Sequence, residues 1–324
     1  MSKIFVTGCN GFIGQELAKR FLDLGHEIHG LIFHEAAPKV EGVHPHYASL
    51  LDYDRVGAIL HTVQPDFIIH LAARTEVEKS FYDPIDFSTV NYSGTVNLIE
   101  KAKDLTNLKL FVFASTMETY GEVYTEAQVA RDPQSLRPFT EETLQFPNAP
   151  YAVAKIACEY YLRYAGRAYN FPWVALRQTN SYGRHDNDFF VVEQIITQML
   201  KDPENCNLGY REPWRNFLHI SDLIDLYLKL VESPDLARGE IFCTGPDNSL
   251  KIEDLALKIA EKLDWHGQIN WDMKPKRAGE IYYLNSTAEK AKRVLGWEPK
   301  ISLDKGLDLT IDLWRKNYDS SSDK

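Results

Sequence analysis

Three glycines spaced three residues apart near the start of the chain constrain its fold more than any other feature. They are Gly8, Gly11 and Gly14. The run before them, residues 3–7, is short, apolar and β-branched, which predicts a buried strand. After them, apolar residues recur at helical spacing over residues 12–24. A strand, a glycine turn and a helix in this order predict a dinucleotide-binding loop, because glycines let the backbone approach a pyrophosphate and the helix N-terminus attracts its charge.

Strand-like and helix-like segments then alternate through the first half of the chain. Further candidate strands are residues 27–33, 66–71, 108–114 and 173–178, with helical patterns near 12–24, 52–63, 85–104 and 151–169. Repeated β–α units predict an α/β fold, a Rossmann-type doubly wound parallel sheet, whose ligands bind at the carboxyl ends of the strands.

The pattern becomes irregular after about residue 180. Helical stretches near 188–200, 221–232, 251–263 and 304–316 are separated by segments that contain proline and glycine. We expect a smaller C-terminal substrate-binding lobe that closes over the strand ends. The expected division is a dinucleotide-binding domain over residues 1–180 plus about 215–245, and a substrate-binding lobe over about 181–214 and 246–318.

Charge and cysteine content limit the classes of partner. The 324 residues include 36 Lys and Arg against 46 Asp and Glu, a formal net charge of −10 at pH 7. A nucleic-acid partner is therefore not expected, since it needs a basic face. The four cysteines are far apart, so neither a disulfide framework nor a metal site is predicted. With a strand starting at residue 3 and no apolar run of membrane-spanning length, we expect a soluble cytoplasmic protein without a signal peptide.

Polar residues with catalytic potential follow the later predicted strands. The strand at 108–114 runs into a turn that contains Thr116 and Glu118, and a helix beginning after Pro150 carries Tyr151 and Lys155. Tyrosine and lysine four residues apart lie on one helical face. An ammonium group, together with the positive charge of a nicotinamide, favours phenolate and lowers the pKa of the tyrosine. The pair therefore predicts a general base that takes a hydroxyl proton while hydride leaves the same carbon.

These motifs together make the chain similar to a known family over nearly its whole length. It resembles the extended short-chain dehydrogenase/reductases of the nucleotide-sugar epimerase/dehydratase group. The segments that carry the resemblance are 7–14, 69–73, 91–95, 115–121, 151–155, 177–183, 215–222, 277–280 and 295–299.

The resemblance implies a reaction and a role for each site residue. The 4-hydroxyl of a nucleotide-diphosphate sugar would be oxidised by NAD(P), with Tyr151 as base, Thr116 bonded to the hydroxyl and Lys155 on the nicotinamide ribose. Asn180 would touch the substrate's phosphates or sugar, while Arg215 and Arg277 would clamp its diphosphate, which suits a forked guanidinium. The implied cofactor-binding residues are Gly8, Asn10, Gly11, Phe12, Ile13, Gly14, His34, Leu50, Leu71, Ala72, Ala73 and Lys155. A homodimer formed through the helices near 85–104 and 151–169 is also implied.

Glu118 and Met117 bear on which reaction of this group the chain performs. Dehydratases of the group carry Thr-Asp-Glu or Thr-Ser-Glu at this turn, and the glutamate removes the C5 proton once C4 is a ketone. Some decarboxylases of nucleotide-linked uronic acids share the glutamate, whereas 4-epimerases usually have a small or hydroxyl residue. Met117 departs from the dehydratase pattern, because a thioether has no proton for the leaving 6-hydroxyl. The resemblance predicts an NDP-hexose 4,6-dehydratase first and an NDP-sugar 4-epimerase second. A nucleotide-uronate decarboxylase and a non-catalytic dinucleotide sensor are further alternatives.

The end of the second strand bears on the choice of coenzyme. An acidic residue there would accept from the ribose hydroxyls of NAD, and an arginine would bind the 2′-phosphate of NADP. Neither an acidic residue nor an arginine stands in register at the end of this strand. Residues 26–38 contain no Arg or Lys, however, and Glu35 lies close to the strand end in sequence. The sequence therefore favours NAD without excluding NADP, and His34 is compatible with both.

Overall fold

The apolar runs predicted as strands form one parallel sheet in the computed structural model, which describes residues 1–33, 37–246 and 249–322. The strands in chain order are β1 Lys3–Thr7, β2 Glu27–Ile32, β3 His44–Tyr47, β4 Phe67–His70, β5 Leu110–Thr116, β6 Trp173–Gln178, β7 Asn180–Tyr182, β8 Asn205–Asn207, β9 Trp214–Arg215, β10 Phe217–His219, β11 Glu240–Cys243, β12 Leu250–Lys251, β13 Gln268–Asn270 and β14 Tyr283–Leu284. The main sheet has the order β3-β2-β1-β4-β5-β6-β11. Its strand pairs are all parallel.

Helices cover both faces of this sheet. In chain order they are α1 Phe12–Asp23, α2 Tyr53–Val63, α3 Val77–Ser80, α4 Pro84–Ser88, α5 Gly94–Ala102, α6 Glu126–Arg131, α7 Pro150–Tyr169, α8 Val191–Lys201, α9 Ile220–Glu232, α10 Pro234–Ala237, α11 Ile252–Leu263, α12 Glu289–Leu295 and α13 Leu303–Ser322. Apolar residues of α1, α9 and α12 pack on one face, and those of α2, α5 and α7 on the other. The predicted doubly wound fold is confirmed, and strand order reverses between β1 and β4, where such folds bind ligands.

The structure corrects the sequence prediction at several elements. The edge strands β3 and β11 were not predicted, and β5 ends at Thr116 instead of residue 114. The helical pattern predicted near 85–104 is confirmed, with a π-helical turn at Thr89–Ser93 between α4 and α5. Asn91 in this turn bonds both backbone groups of Arg74, at 2.8 and 2.9 Å, so the turn serves to hold the loop after β4.

A third apolar cluster lies in the C-terminal part of the chain, where α8, α11 and α13 pack together. The small sheets β7–β10, β8–β13 and β12–β9–β14 belong to this irregular region. The division of the chain into two lobes stays a prediction. Within the described residues, no helix has both the length and the apolar character needed to span a membrane.

Candidate active site

The glycine loop makes a turn that side chains would obstruct. Gly8 has φ of +71°, and a Cβ there would lie 2.9 Å from the backbone nitrogen of Ala72. A Cβ at Gly14 would lie only 2.3 Å from the Gly8 carbonyl oxygen. The Gly11 N–H donates to that same oxygen at 2.9 Å. The turn therefore connects β1 directly to the start of α1. Its backbone N–H groups are suited to bind a pyrophosphate.

A buried chain of hydrogen bonds holds the neighbouring loop against this turn. The Ala72 N–H donates to Thr7 Oγ1 at 3.1 Å, and Thr7 Oγ1 lies 2.6 Å from His70 Nδ1. On the other side, His70 Nε2 lies 2.8 Å from Thr95 Oγ1, whose hydroxyl donates to the Asn91 carbonyl. Because the Thr95 hydroxyl already donates to Asn91, its oxygen must accept from His70 Nε2. The imidazole is therefore neutral, with its proton on Nε2. Burial agrees with this, since it lowers the pKa of His70 to about 3.

A groove of about 450 Å³ runs along the carboxyl ends of the central strands. Most of the predicted cofactor residues line it, namely Gly8, Gly11, Phe12, Ile13, Gly14, Leu71, Ala72 and Ala73. Asn10 lies outside the lining, because its amide is bonded to Ala37 and Lys39. Leu50 is packed in the core beside α2, with its carbonyl accepting from Asn97. His34 falls outside the described residues.

Tyr151 and Lys155 lie on one face of α7, as predicted. Tyr151 lines the groove with Thr116. Lys155 is buried below, where its Nζ donates to the Ala114 carbonyl at 2.8 Å and lies 6.0 Å from the Tyr151 ring centroid. Burial lowers the pKa of Lys155 to about 8.

Lys155 alone does not lower the pKa of Tyr151; the predicted lowering requires the positive charge of a nicotinamide as well. Burial raises the pKa of Tyr151, and the carboxylate of Glu118 raises it further, while the neighbouring Thr116 hydroxyl lowers it. Lys155 does not offset this rise in pKa, because its ammonium group donates to a backbone carbonyl of β5. The phenol is therefore neutral until positive charge is brought next to it.

A second cavity, of about 660 Å³, adjoins the groove and contains the predicted arginines. Arg215 is buried, with Nη2 3.2 Å from Glu280 Oε1, and Arg277 donates to both oxygens of the same carboxylate at 3.2 and 3.3 Å. Glu280 thus joins the two guanidinium groups into one cluster. Its role had not been predicted, although it ends the 277–280 motif.

Glu118 and Asn180 line both cavities, so they stand where the groove meets the second cavity. Glu118 belongs to a 3₁₀ turn that begins after Thr116, and its N–H donates to Thr116 Oγ1 at 3.2 Å. Burial raises the pKa of the Glu118 carboxyl, against the lowering effect of Arg215 and Arg277. Glu118 is therefore suited to hold and release a proton.

Met117 points away from both cavities. Its side chain is buried in an apolar cluster with residues such as Tyr120, Phe139 and Tyr283. The methionine that departs from the dehydratase pattern therefore serves packing in this chain. Any proton for a leaving group at this turn must come from another residue.

The chain is similar in sequence and in fold to known proteins. The family model described as GDP-mannose 4,6 dehydratase matches residues 5–310. The GDP-6-deoxy-D-mannose reductase of Pseudomonas aeruginosa is 27% identical, over 96% of this chain and 97% of that protein. The dTDP-glucose 4,6-dehydratase 1 of Escherichia coli is also 27% identical, over 97% of this chain and 93% of that protein. Among solved structures, a UDP-glucose 4-epimerase from Thermus thermophilus in complex with NAD has a TM-score of 0.85 at 26% identity, covering 97% of this chain and 99% of that chain.

Proposed function

The chain belongs to the GDP-mannose 4,6-dehydratase family, and on this basis we propose an NAD(P)-dependent enzyme that oxidises C4 of a nucleotide-diphosphate sugar. Within that class we propose the NDP-hexose 4,6-dehydratase type. The observation that carries the proposal is the position of Glu118, which lines both the groove with Tyr151 and the cavity with the paired arginines. A carboxylate there can reach a sugar whose diphosphate lies near the arginines and whose C4 lies near the tyrosine.

Tyr151, Thr116 and Lys155 supply the first half of the proposed reaction. Bound NAD(P) provides the acceptor for the C4 hydride and, in a dehydratase, the hydride that returns to C6. Thr116 orients the 4-hydroxyl, and Tyr151 takes its proton. Lys155 would hold the nicotinamide ribose of the bound cofactor. The groove fits such a cofactor because Gly8, Gly11 and Gly14 line it at the start of α1, where backbone N–H groups can bind a pyrophosphate.

Glu118 carries out the second half. Once C4 is a ketone the C5 hydrogen is acidic, and the Glu118 carboxylate removes it. The protonated Glu118 then gives this proton to the 6-hydroxyl, which leaves as water while the C5–C6 double bond forms. Its raised pKa favours this dual use, because the carboxyl group keeps the proton until the hydroxyl leaves. The carboxylate thereby replaces the acid that Met117 does not provide.

An NDP-sugar 4-epimerase is the second candidate. The burial of Met117 favours it, since an enzyme that returns the hydride to C4 has no 6-hydroxyl to protonate. Glu118 would then have no catalytic task. Incubation with UDP-, GDP-, dTDP- and CDP-sugars, followed by mass spectrometry, separates the two candidates. A loss of 18 mass units supports dehydration, and an unchanged mass with a changed sugar supports epimerisation.

We expect NAD to bind more tightly than NADP. The described residues that line the groove include no cation at the end of β2, and the sequence has no Arg or Lys over 26–38. Calorimetric titration with both forms measures the preference. A tighter NADP complex would contradict this assignment of coenzyme but not the reaction class.

Arg277→Ala should weaken nucleotide-diphosphate binding by about 1.5–3 kcal/mol, the range of a charge-assisted contact. Arg215→Ala should have a similar effect, because both arginines line the same cavity and both contact Glu280. Calorimetry with the four nucleoside diphosphates measures both. Arg211→Ala is the matched control, since Arg211 is exposed and pairs with Glu253 outside the cavity. Unchanged affinity in both cavity variants would contradict the clamp.

The proposed homodimer forms through α4 and α7. Val153, Tyr160 and Tyr164 share one exposed face of α7, and Tyr82 and Ile85 are 83% and 78% exposed beside α4. Apolar side chains this exposed on neighbouring helices are typical of an interface. Tyr160→Glu should therefore give a monomer in light scattering, while Leu236→Glu on α10 should leave the dimer intact. A wild-type monomer at micromolar concentration would contradict the proposal.

A further inference from the structure

Arg184 is a buried cation on the wall of the groove. Its side chain is 9% exposed, and it is the only arginine or lysine among the described residues that line the groove. It follows β7, and the N–H groups of Gly183 and Arg184 both donate to Glu193 Oε1, at 2.9 and 3.0 Å. Glu193 is fully buried, so it fixes the backbone of this turn from α8.

Two aromatic rings enclose the guanidinium group. Its carbon lies 4.2 Å from the ring centroid of Phe12 and 3.9 Å from that of Phe190. Phe12 is the first residue of α1, directly after Gly11, so the cation lies beside the glycine turn. Stacking on rings occupies the faces of a guanidinium and leaves the N–H groups at its edge for hydrogen bonds.

Part of that edge has no hydrogen-bond partner among the described residues. Every hydrogen bond from the guanidinium to a described residue leaves from Nη1, to the Ser181 carbonyl at 2.6 Å and to the Glu193 oxygens at 3.4 and 3.5 Å. Nε and Nη2 make no hydrogen bond to a described residue. Because Arg184 lines the groove, these donors are available to a ligand in it.

The segment after Arg184 is tied to the glycine loop. Asp186 accepts from Gln15 Nε2 at 3.4 Å and from Lys39 Nζ at 3.0 Å. The same Gln15 amide donates to the Asn10 carbonyl, within the loop itself, at 3.1 Å. These contacts fix the position of the cation relative to the turn.

We propose that Arg184 binds the pyrophosphate of the bound dinucleotide, an inference that rests on the proposed function. A pyrophosphate carries two negative charges, and a helix N-terminus offers about half a positive charge. A guanidinium beside that terminus adds a full charge and a planar pair of donors. The cofactor is thus held between a loop of the first half of the chain and a cation from the segment after β7.

Calorimetry on the full-length protein tests this with three ligands, NAD⁺, ADP-ribose and adenosine. Arg184→Gln should weaken NAD⁺ and ADP-ribose about 10- to 100-fold, the usual effect of losing a charge-assisted contact, and leave adenosine within about 3-fold. Lys19→Gln is the matched control, because Lys19 is an exposed cation of α1 that pairs with Glu16 and does not line the groove. It should leave all three affinities within about 3-fold.

Arg184→Gln leaves Glu193 buried without its cation, so stability is measured in parallel by thermal unfolding. If that variant does not fold, Arg184→Gln combined with Glu193→Gln removes both charges and should show the same ligand pattern. Unchanged NAD⁺ affinity, or an equal loss for adenosine, would overturn the assignment. Weaker binding of UDP, GDP, dTDP or CDP with unchanged NAD⁺ affinity would also overturn the assignment, because Arg184 would then bind the substrate's diphosphate. A wild-type protein that binds no dinucleotide would instead overturn the proposed function, and this assignment with it.

Discussion

Tyr151→Phe should lower turnover about 10²- to 10⁴-fold and leave the affinity for the nucleotide sugar within a few-fold. The phenol hydroxyl acts on the 4-hydroxyl proton in the transition state, so its loss appears in kcat and not in binding. The ring is buried in the wall of the groove, and phenylalanine keeps its packing. Single-turnover reduction of NAD(P), together with calorimetric binding of substrate, measures both quantities.

Tyr160→Phe on the same helix is the control for this prediction. Tyr160 is 61% exposed and lies away from the groove, so its hydroxyl should have no effect on turnover. Near wild-type turnover in Tyr151→Phe would show that another group is the base. A large loss of substrate affinity in that variant would show instead that the tyrosine serves ground-state binding.

Glu118→Gln should separate the two halves of the proposed reaction. Oxidation at C4 should continue, because Tyr151, Thr116 and Lys155 remain, but the amide cannot remove the C5 proton. The variant should therefore accumulate reduced cofactor with a 4-keto sugar bound, visible by the absorbance of the reduced nicotinamide. Glutamine also resembles the protonated carboxyl group that burial favours, so folding should be retained.

Glu122→Gln is a suitable control, because Glu122 is exposed four residues further along the chain. It should turn over normally. A Glu118→Gln variant that forms product at the wild-type rate would remove the dehydratase assignment and leave the 4-epimerase. A variant that never reduces the cofactor would place Glu118 in the first half of the reaction.

Most of the fold could be predicted because its helices, strands and turns follow from local sequence patterns, which involve only residues near one another in the chain. The glycine turn, the strands at β1 and β6 and the Tyr151–Lys155 face all follow from spacing that is visible in the chain. Strand β3 was missed because its four residues, His-Pro-His-Tyr, show no apolar alternation. It is recognised as a strand only by its pairing with β2.

Features of the site that depend on distant contacts could not be predicted. The direction of the Tyr151 pKa shift depends on how deeply the fold buries the ring and on where Glu118 lies. Arg184 is far from Phe12 in sequence, and only the folded chain brings them together. The bridging role of Glu280 likewise requires β9 and the 277–280 turn to meet.

The proposed reaction forms a 4-keto intermediate, from which Glu118 then removes the C5 proton. The most direct test is reaction of the wild-type enzyme in deuterium oxide with the accepted nucleotide sugar, followed by mass spectrometry and NMR of the product. We predict loss of water together with deuterium at C5, because the proton removed there is replaced from solvent. A product of unchanged mass, inverted at C4 and free of deuterium at carbon, would contradict the proposed dehydration.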